Sequence, residues 1–382
     1  MSSDRVQDRK FEHIEDRDNL ALEEVTLAEH LRDTADYQTY FLGKWHLGDT
    51  GHLPTDQGFE VNIGGCDRGS PPGGYYGPWK NPNLTANFDG EYLTTRLTDE
   101  ATGLIEHADR DRPFFMMMSY YNVHSPITAD RTTIEHFNQK ANETFKGPTP
   151  SISERDAFSR TRQDNPDYAS MVAAVDTSVG RILESLRQSG VDDNTMIVFF
   201  SDNGGLCTLR KHGPTSNLPL RSGKGWLYEG GIREPMIVRL PPRQGTENIP
   251  HVVDNVACST DLFPTILDAV GLPLQEGLHA DGLSLLPAMN NMPTETRSIH
   301  WHYPHYHGSL WRPGAAIRNG DMKLIEFYER GEVELYDLSQ DVGETTNIAV
   351  QRPKVREKLR EELKQWQRRM GAKMPVARSA AP

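Results

Sequence analysis

The chain has 382 residues, 36% of them hydrophobic and 25% charged, enough for a sizeable core and too mixed for collagen, coiled coil or wholesale disorder. Lys and Arg number 41 against 54 Asp and Glu, a net charge of −13 that disfavours nucleic acid and anionic membranes as partners. No apolar run approaches the roughly 18 residues of a membrane-spanning helix.

Residues 1–20 are charged and lack the apolar core of a signal peptide. They read either as a solvated leader or as a chain that starts part-way into a domain. From Thr26, the spacing of Leu27, His30 and Leu31 predicts a helix, and a short strand follows over 38–42. Residues 64–78 hold too many Gly and Pro for regular structure. A helix is expected across 98–107. The unalternating run Phe114-Phe-Met-Met-Met-Ser-Tyr-Tyr121 then reads as a strand buried on both faces, ending at Asn122-Val-His-Ser-Pro126. Asn165 and Pro166 suit a helix start, with an apolar stripe of Tyr168, Met171, Val172, Val175, Val179, Ile182, Leu183 and Leu186 and a stop at Gly190. Strands are predicted at 195–200, running into Ser201-Asp-Asn-Gly-Gly205, and at 235–240. A helix capped at Thr260 follows, with Leu262, Phe263, Ile266, Leu267 and Val270 inward and Gly271 as its stop.

This alternation predicts an α/β fold with a mostly parallel central sheet flanked by helices. After about residue 275 the pattern changes. Residues 315–318 and 322–328, joined at Asn319-Gly320, predict a hairpin with a type I′ turn, 333–338 a third strand, and Val355, Leu359, Leu363 and Trp366 a closing helix. The expected organisation is a main domain over 1–275, a smaller antiparallel sheet plus helix over 276–370, and a flexible tail over 371–382. Cys66, Cys207 and Cys258 have no paired spacing, so neither a disulfide framework nor a Cys-zinc site is expected.

In open α/β sheets the ligand crevice lies at the carboxyl ends of the strands. Three predicted strands deliver polar groups there: Lys44 and His46, then His124, then Asp202 and Asn203. Asp202 and Asn203 are hard oxygen donors suited to Ca²⁺ or Mg²⁺. Lys44, His46, His124 and the later Lys224 are cations or hydrogen-bond donors. A divalent metal ringed by such groups suits the charge of a tetrahedral oxyanion ester. His300, His302, His305 and His307 have no zinc-site spacing; substrate contact or packing is expected of them.

Gly43-Lys-Trp-His-Leu-Gly48 with Leu53-Pro-Thr-Asp-Gln-Gly-Phe59 resembles a signature of the sulfatases of the alkaline phosphatase superfamily. Asn122-Val-His-Ser-Pro126, Val198-Phe-Phe-Ser-Asp-Asn-Gly-Gly205, Arg221-Ser-Gly-Lys-Gly225 with Glu229-Gly-Gly-Ile-Arg233, and Asp261-Leu-Phe-Pro-Thr265 follow in that family's order. The resemblance continues through Ala316–Leu324 and Glu334–Leu338. It implies that Asp202 and Asn203 ligate the metal, Ca²⁺ or Mg²⁺. Lys44 and His46 then contact the nucleophile and the sulfate, with His46 as base in sulfate release. Lys224 and His124 hold the sulfate and assist departure of the alcohol, and Arg233 braces the loop after Lys224.

Two family features are not found. Sulfatases carry an early strand ending in paired aspartates, then Cys- or Ser-x-Pro-x-Arg, whose first residue becomes the nucleophile formylglycine; Cys66, Cys207 and Cys258 are followed by no such pattern. The resemblance therefore implies a sulfuric ester hydrolase by descent, acting on small-molecule or carbohydrate sulfate esters, with 1–275 an N-terminally truncated catalytic domain and this chain inactive. Two alternatives stay open: a non-catalytic protein that binds sulfated ligands, and a phosphatase or phosphonate hydrolase of the same superfamily. Lys44-Trp-His46 with Arg221-Ser-Gly-Lys224 favours sulfate. Family members are periplasmic, secreted or lysosomal; the sequence leaves localisation, oligomeric state and the particular ester open.

Overall fold

The computed structural model describes residues 9–241, 252–275, 277–279 and 281–378. Helix α1 (Leu27–Ala35) opens with a capping box, in which Thr26 Oγ1 accepts the Glu29 N–H and the Glu29 carboxylate accepts the Thr26 N–H. Strand β1 (Gln38–Gly43) is buried throughout and pairs in parallel with β2 (Val61–Ile63) on one side. On its other side lies β3 (Phe114–Ser119), also parallel. Helix α2 (Leu93–His107) starts earlier than predicted because Leu93, Thr94 and Leu97 already belong to its buried face. Helix α3 (Ile134–Thr144) precedes β4 (Ser151–Glu154) and β5 (Ala157–Arg160), which pair antiparallel.

Helix α4 (Pro166–Gln188) is capped by Asn165, whose Oδ1 accepts the N–H groups of Asp167 and Tyr168. The predicted apolar stripe is not its most buried face. Ser170, Ala174, Ser178 and Ser185 are buried beside Met171 and Leu186, whereas Val172 is 48% exposed. Small residues let α4 lie close to α2, where the Thr98 and Ser178 hydroxyls meet at 2.5 Å.

The central sheet departs from expectation next. Strand β6 (Ile197–Phe200) is followed by the short β7 (Thr208–Leu209), which joins β5, by helix α5 (Glu229–Ile232) and by β8 (Met236–Arg239). β6 pairs with β8, and the pairing is antiparallel. Among the described residues no strand bridges β3 and β6, so the layer divides into a parallel β2-β1-β3 sheet and a β6-β8 ribbon. The predicted burial of β3 and β6 on both faces does not hold: Met117 is 45% exposed, Phe199 and Phe200 are each 39% exposed, and Ile237 on β8 is 63% exposed.

Helix α6 (Leu262–Ala269) begins at Asp261 rather than at a Thr260 cap. The buried Asp261 carboxylate accepts the N–H of Cys258 at 2.7 Å and of Leu283 at 2.9 Å and pairs with Arg297. After α7 (Leu286–Met289) comes the C-terminal sheet, in the order β12-β11-β10-β9: β9 (Ser298–Tyr303), β10 (Gly314–Asn319), β11 (Met322–Phe327) and β12 (Glu332–Asp337). Every pairing in it is antiparallel. Asn319 pairs with Met322, which makes Gly320 and Asp321 the turn. Of these only Gly320 has positive φ, +57°, which fits a Gly-first type II′ turn one residue beyond the predicted type I′. Helix α8 (Pro353–Arg369) lays Leu359 and Leu363 on Ala315, Ile317, Leu324 and Leu335.

The tail is not loose as far as it is described. Ala377 bridges to Phe11, and the Arg378 N–H donates to Lys10 O at 2.8 Å. Residues 379–382, and residues 1–8 of the charged N-terminus, lie outside the described residues. Trp226 and Tyr228 pack with Trp311, Ile325, Phe327 and Tyr336, so the loop after β7 and the C-terminal sheet share one core.

Candidate active site

At the end of β1, a Cβ on Gly43 would fall 1.9 Å from Ser119 O. Only glycine therefore lets the carboxyl ends of β1 and β3 come this close, and the Lys44 N–H then donates to Ser119 O at 2.8 Å. Trp45 anchors the next turn: it is buried, edge-on to Phe41 and Phe59, and its Nε1–H donates to His52 O. Lys44 is left half-buried and His46 exposed, the latter in the left-handed region at φ +57° with Gly69 packed against its ring.

His124 follows β3. The Tyr75 hydroxyl donates to both Tyr121 O and His124 O, at 2.7 and 2.8 Å, and so ties the Gly/Pro-rich loop to the histidine turn. Asp202 and Asn203 follow β6; Asp202 is exposed, and Asn203 is half-buried with its Nδ2–H₂ donating to Gly204 O. Lys224 arrives on the loop between Ser222 (φ +61°) and Gly225 (φ +81°), its N–H donating to Gly205 O. That loop is braced by Arg221, which donates two 2.8 Å bonds to Glu154 and others to Tyr336 Oη and Glu344 O. Fully buried Lys323 also ties Glu229 to Glu344, at 2.8 and 2.9 Å. Arg233, expected as the brace, is half-exposed and 3.6 Å from Glu229. Bracing falls to Arg221 and Lys323 instead.

The sequence-predicted groups lie within one another's electrostatic field. Burial lowers the pKa of Lys224, as does Lys44, while Asp202 opposes the shift. His46 is lowered by burial, then by Lys44 and Lys224, with Asp67 opposing. His124 is lowered by burial and by Lys224 and Lys44, against its bond to Ser125 O and the charge of Asp202. Two lysines and two histidines thus share a field with the exposed carboxylates of Asp202 and Asp67, on a protein of net charge −13.

Residues 4–272 match the sulfatase family model. The chain belongs to the sulfatase family. Residues 222–369 also match the model described as N-sulphoglucosamine sulphohydrolase, C-terminal. Among curated relatives, a sulfatase of Formosa agariphila is 32% identical over 297 residues, covering 72% of this chain and 50% of its own. Arylsulfatase A of Homo sapiens is 28% identical over 389 residues, covering 87% and 68%. The chain spans about half the length of the first curated relatives it matches. In fold it is similar to i-CgsB in complex with k-i-k-neocarrahexaose, with TM-score 0.72, 24% identity, and 91% of this chain and 75% of that one covered.

Sulfatases generally use a metal ion and a formylglycine. In this sulfatase chain, Asp202 and Asn203 are of the right chemistry for a hard cation, which takes six to eight oxygens. Among the described residues, however, no group of three or more His, Cys, Asp or Glu is arranged to hold a metal. This donor set does not make a closed metal site. Cys66 and Cys207 are buried and Cys258 is half-buried, and burial raises the Cys207 thiol pKa.

One residue at the site, Glu234, escaped the sequence reading, and a second, His307, belongs to the histidines of which the sequence predicts substrate contact or packing. Glu234, one position beyond the quoted Gly-Gly-Ile-Arg, has Oε1 buried with no hydrogen-bond partner among the described residues. Burial, and then Asp202, push its carboxyl pKa up to about 7. His307 packs against Gly225, where a Cβ would lie 2.0 Å from Nδ1, and its pKa is lowered by burial and by Lys224. Its neighbours in sequence have other duties. His300 stacks on Trp366 at 4.8 Å, and His302 bonds Tyr328 Oη and Lys373 O. Within the described residues, no helix is long and apolar enough to cross a membrane.

Proposed function

We propose that this chain carries the sulfate-binding groups of a sulfuric ester hydrolase that acts on sulfate monoesters, and that the 382-residue polypeptide by itself does not turn over. The observation that carries the reading is the convergence of Lys44, His46, His124 and Lys224 from two strand ends and a braced loop onto one field. A histidine with a lowered pKa is neutral near pH 7 and accepts a proton, which suits His46 as the base in sulfate release. Lys224 and His124 hold the sulfate and assist departure of the alcohol. Asp202 and Asn203 are assigned to a Ca²⁺ or Mg²⁺ ion, which supplies Lewis-acid stabilisation of charge on sulfate oxygens.

Carbohydrate sulfates are the favoured substrates, in line with one similarly folded protein solved in complex with its substrate D-glucosamine-2-N,6-O-disulfate (24% identity, TM-score 0.69). The catalytic unit is assigned to 1–275 and the smaller unit to 276–370. The second reading, a protein that binds sulfated ligands without hydrolysis, is favoured by the lack of any Cys- or Ser-x-Pro-x-Arg in the sequence. Calorimetry with inorganic sulfate and phosphate tests the site common to both. Sulfate binding weakened tenfold or more by Lys224→Ala, with melting unchanged, is expected. Preference for phosphate, or binding indifferent to Lys224→Ala, overturns the assignment.

A further inference from the structure

Asn217 lies between β7 and the Lys224 loop, in a turn where the Leu220 N–H donates to its backbone carbonyl at 3.0 Å. Its side-chain amide meets backbone oxygens from three separate segments. Nδ2–H₂ donates to Gly205 O at 2.8 Å, to Ser222 O at 2.9 Å and to Gly230 O at 3.0 Å. The first oxygen belongs to the turn that carries Asp202 and Asn203, the second to the loop that carries Lys224, and the third to α5. Three acceptors in one place turn the nitrogen, not the oxygen, of the amide toward them, and its two hydrogens are shared among the three. The segments meet more closely than side chains would allow: a Cβ on Gly223 would fall 2.2 Å from Gly205 O, and one on Gly204 would fall 1.8 Å from Gly230 O.

Carbonyl dipoles that converge with their negative ends together repel unless a donor sits among them. Two of the oxygens have other donors as well: Gly205 O takes the Lys224 N–H at 3.2 Å, and Ser222 O takes the Cys207 S–H at 2.8 Å. Asn217 bonds all three segments at once. We propose that Asn217 is a positioning residue of the anion site, its amide setting the spacing between the Asp202 turn and the Lys224 loop. Gly205 stands three residues after Asp202 and Ser222 two before Lys224, so a shift of either carbonyl carries a site side chain with it. Asn217 is itself half-buried beside Leu218, which is 53% exposed, so its replacement removes hydrogen bonds and little apolar packing. The proposal rests on the sulfate-site reading for what Lys224 binds, and on these hydrogen bonds alone for where Lys224 is held.

The test combines calorimetry with inorganic sulfate and amide hydrogen exchange, both on the full chain. Asn217→Leu keeps the branched shape and removes both donors. It is expected to weaken sulfate binding about tenfold or more and to speed exchange at the Lys224 and Gly230 amides, with melting and the protection of β10 and β11 unchanged. In a Lys224→Ala background the same change should cost no further sulfate affinity. Asn217→Gln, which keeps the amide, should recover part of both losses. Asn217→Ser, a smaller change that also withdraws the amide, repeats the measurement should the leucine variant not fold. Full sulfate affinity without the amide, weakened binding with unaltered exchange at those two amides, or lost protection that spreads to β10 and β11 overturns the positioning role. Faster exchange confined to Lys224 and Gly230, in a chain that binds no sulfate even with Asn217 present, leaves the positioning role standing and overturns the sulfate site.

Discussion

The C-terminal sheet and the split main layer of this protein are built from similarly apolar strands and end up in different conditions. In the C-terminal sheet, β10 and β11 are paired on both edges in six-residue registers, and Ala315, Ala316, Ile317, Leu324 and Ile325 are fully buried. In the main layer, among the described residues, β6 has one partner, β3 has one partner, and Phe199, Phe200 and Met117 meet solvent. A run such as Ile-Val-Phe-Phe is no guarantee of burial. Neighbours confer it, and in this layer β3 and β6 each keep an edge of N–H and C=O groups without a ladder.

The contrast is sharpest in activity. The polar groups around the split layer include no formylglycine precursor, so no aryl sulfate should be turned over more than once per chain. Hydrolysis that persists through rigorous repurification would break the picture.

Stability comes next. Edges without a ladder beside exposed apolar side chains invite pairing with another chain and do little to hold the main layer closed, within a domain stability of only about 5–15 kcal/mol. The full chain is expected to associate through those edges or to melt early, and its amides at 197–200 should exchange orders of magnitude faster than those of β10 and β11. A cooperative monomeric melt with strong protection at Ile197–Phe200 would falsify this.

Truncations give a smaller, cleaner contrast. Ile325→Ala, in the fully buried ladder, should cost about 2–5 kcal/mol. Phe199→Ser, on the exposed ribbon, should be close to neutral and should improve solubility. Matched denaturant titrations read both, and equal losses would mean that the ribbon is buried after all.

The smallest expected effect is one of pH. His300 and His302 in β9 are lowered below the usual histidine value of 6.5, chiefly by burial. The folded state therefore resists their protonation more than the unfolded chain does. Their contribution is full above the unfolded pKa and is lost as pH falls through the lower folded values. Protection factors of β9 and β10 amides, corrected for the intrinsic pH dependence of exchange, should fall between pH 7 and pH 5, and His300→Asn with His302→Gln should flatten that change. An unaltered pH dependence in the double variant would assign it to other groups.

Much of this architecture was legible in residue order. The Thr26 start with Glu29 three residues later, the Asn165-Pro166 start and the α8 stripe mark their helices through local chemistry that needs no partner. The polar residues after β1, β3 and β6 were legible because a strand's carboxyl end is a topological position. Other features depended on contacts distant in sequence. The buried face of α4 is its small-residue face because α2 lies against it, and β9 was hidden among histidines until β10 supplied its ladder. Glu234 and His307 joined the site only when Asp202 and Lys224 were folded beside them. The sequence by itself determined α1, α4, α6 and α8, the strands β1, β3, β6, β8, β10, β11 and β12, and which polar groups follow a strand end, because periodicity, caps and strand ends are local. The tertiary structure decided which apolar strands are buried, that β6 pairs antiparallel with β8, and which histidines pack and which joins the site. Burial and pairing belong to two surfaces at once, and a single stretch of sequence specifies only one of them.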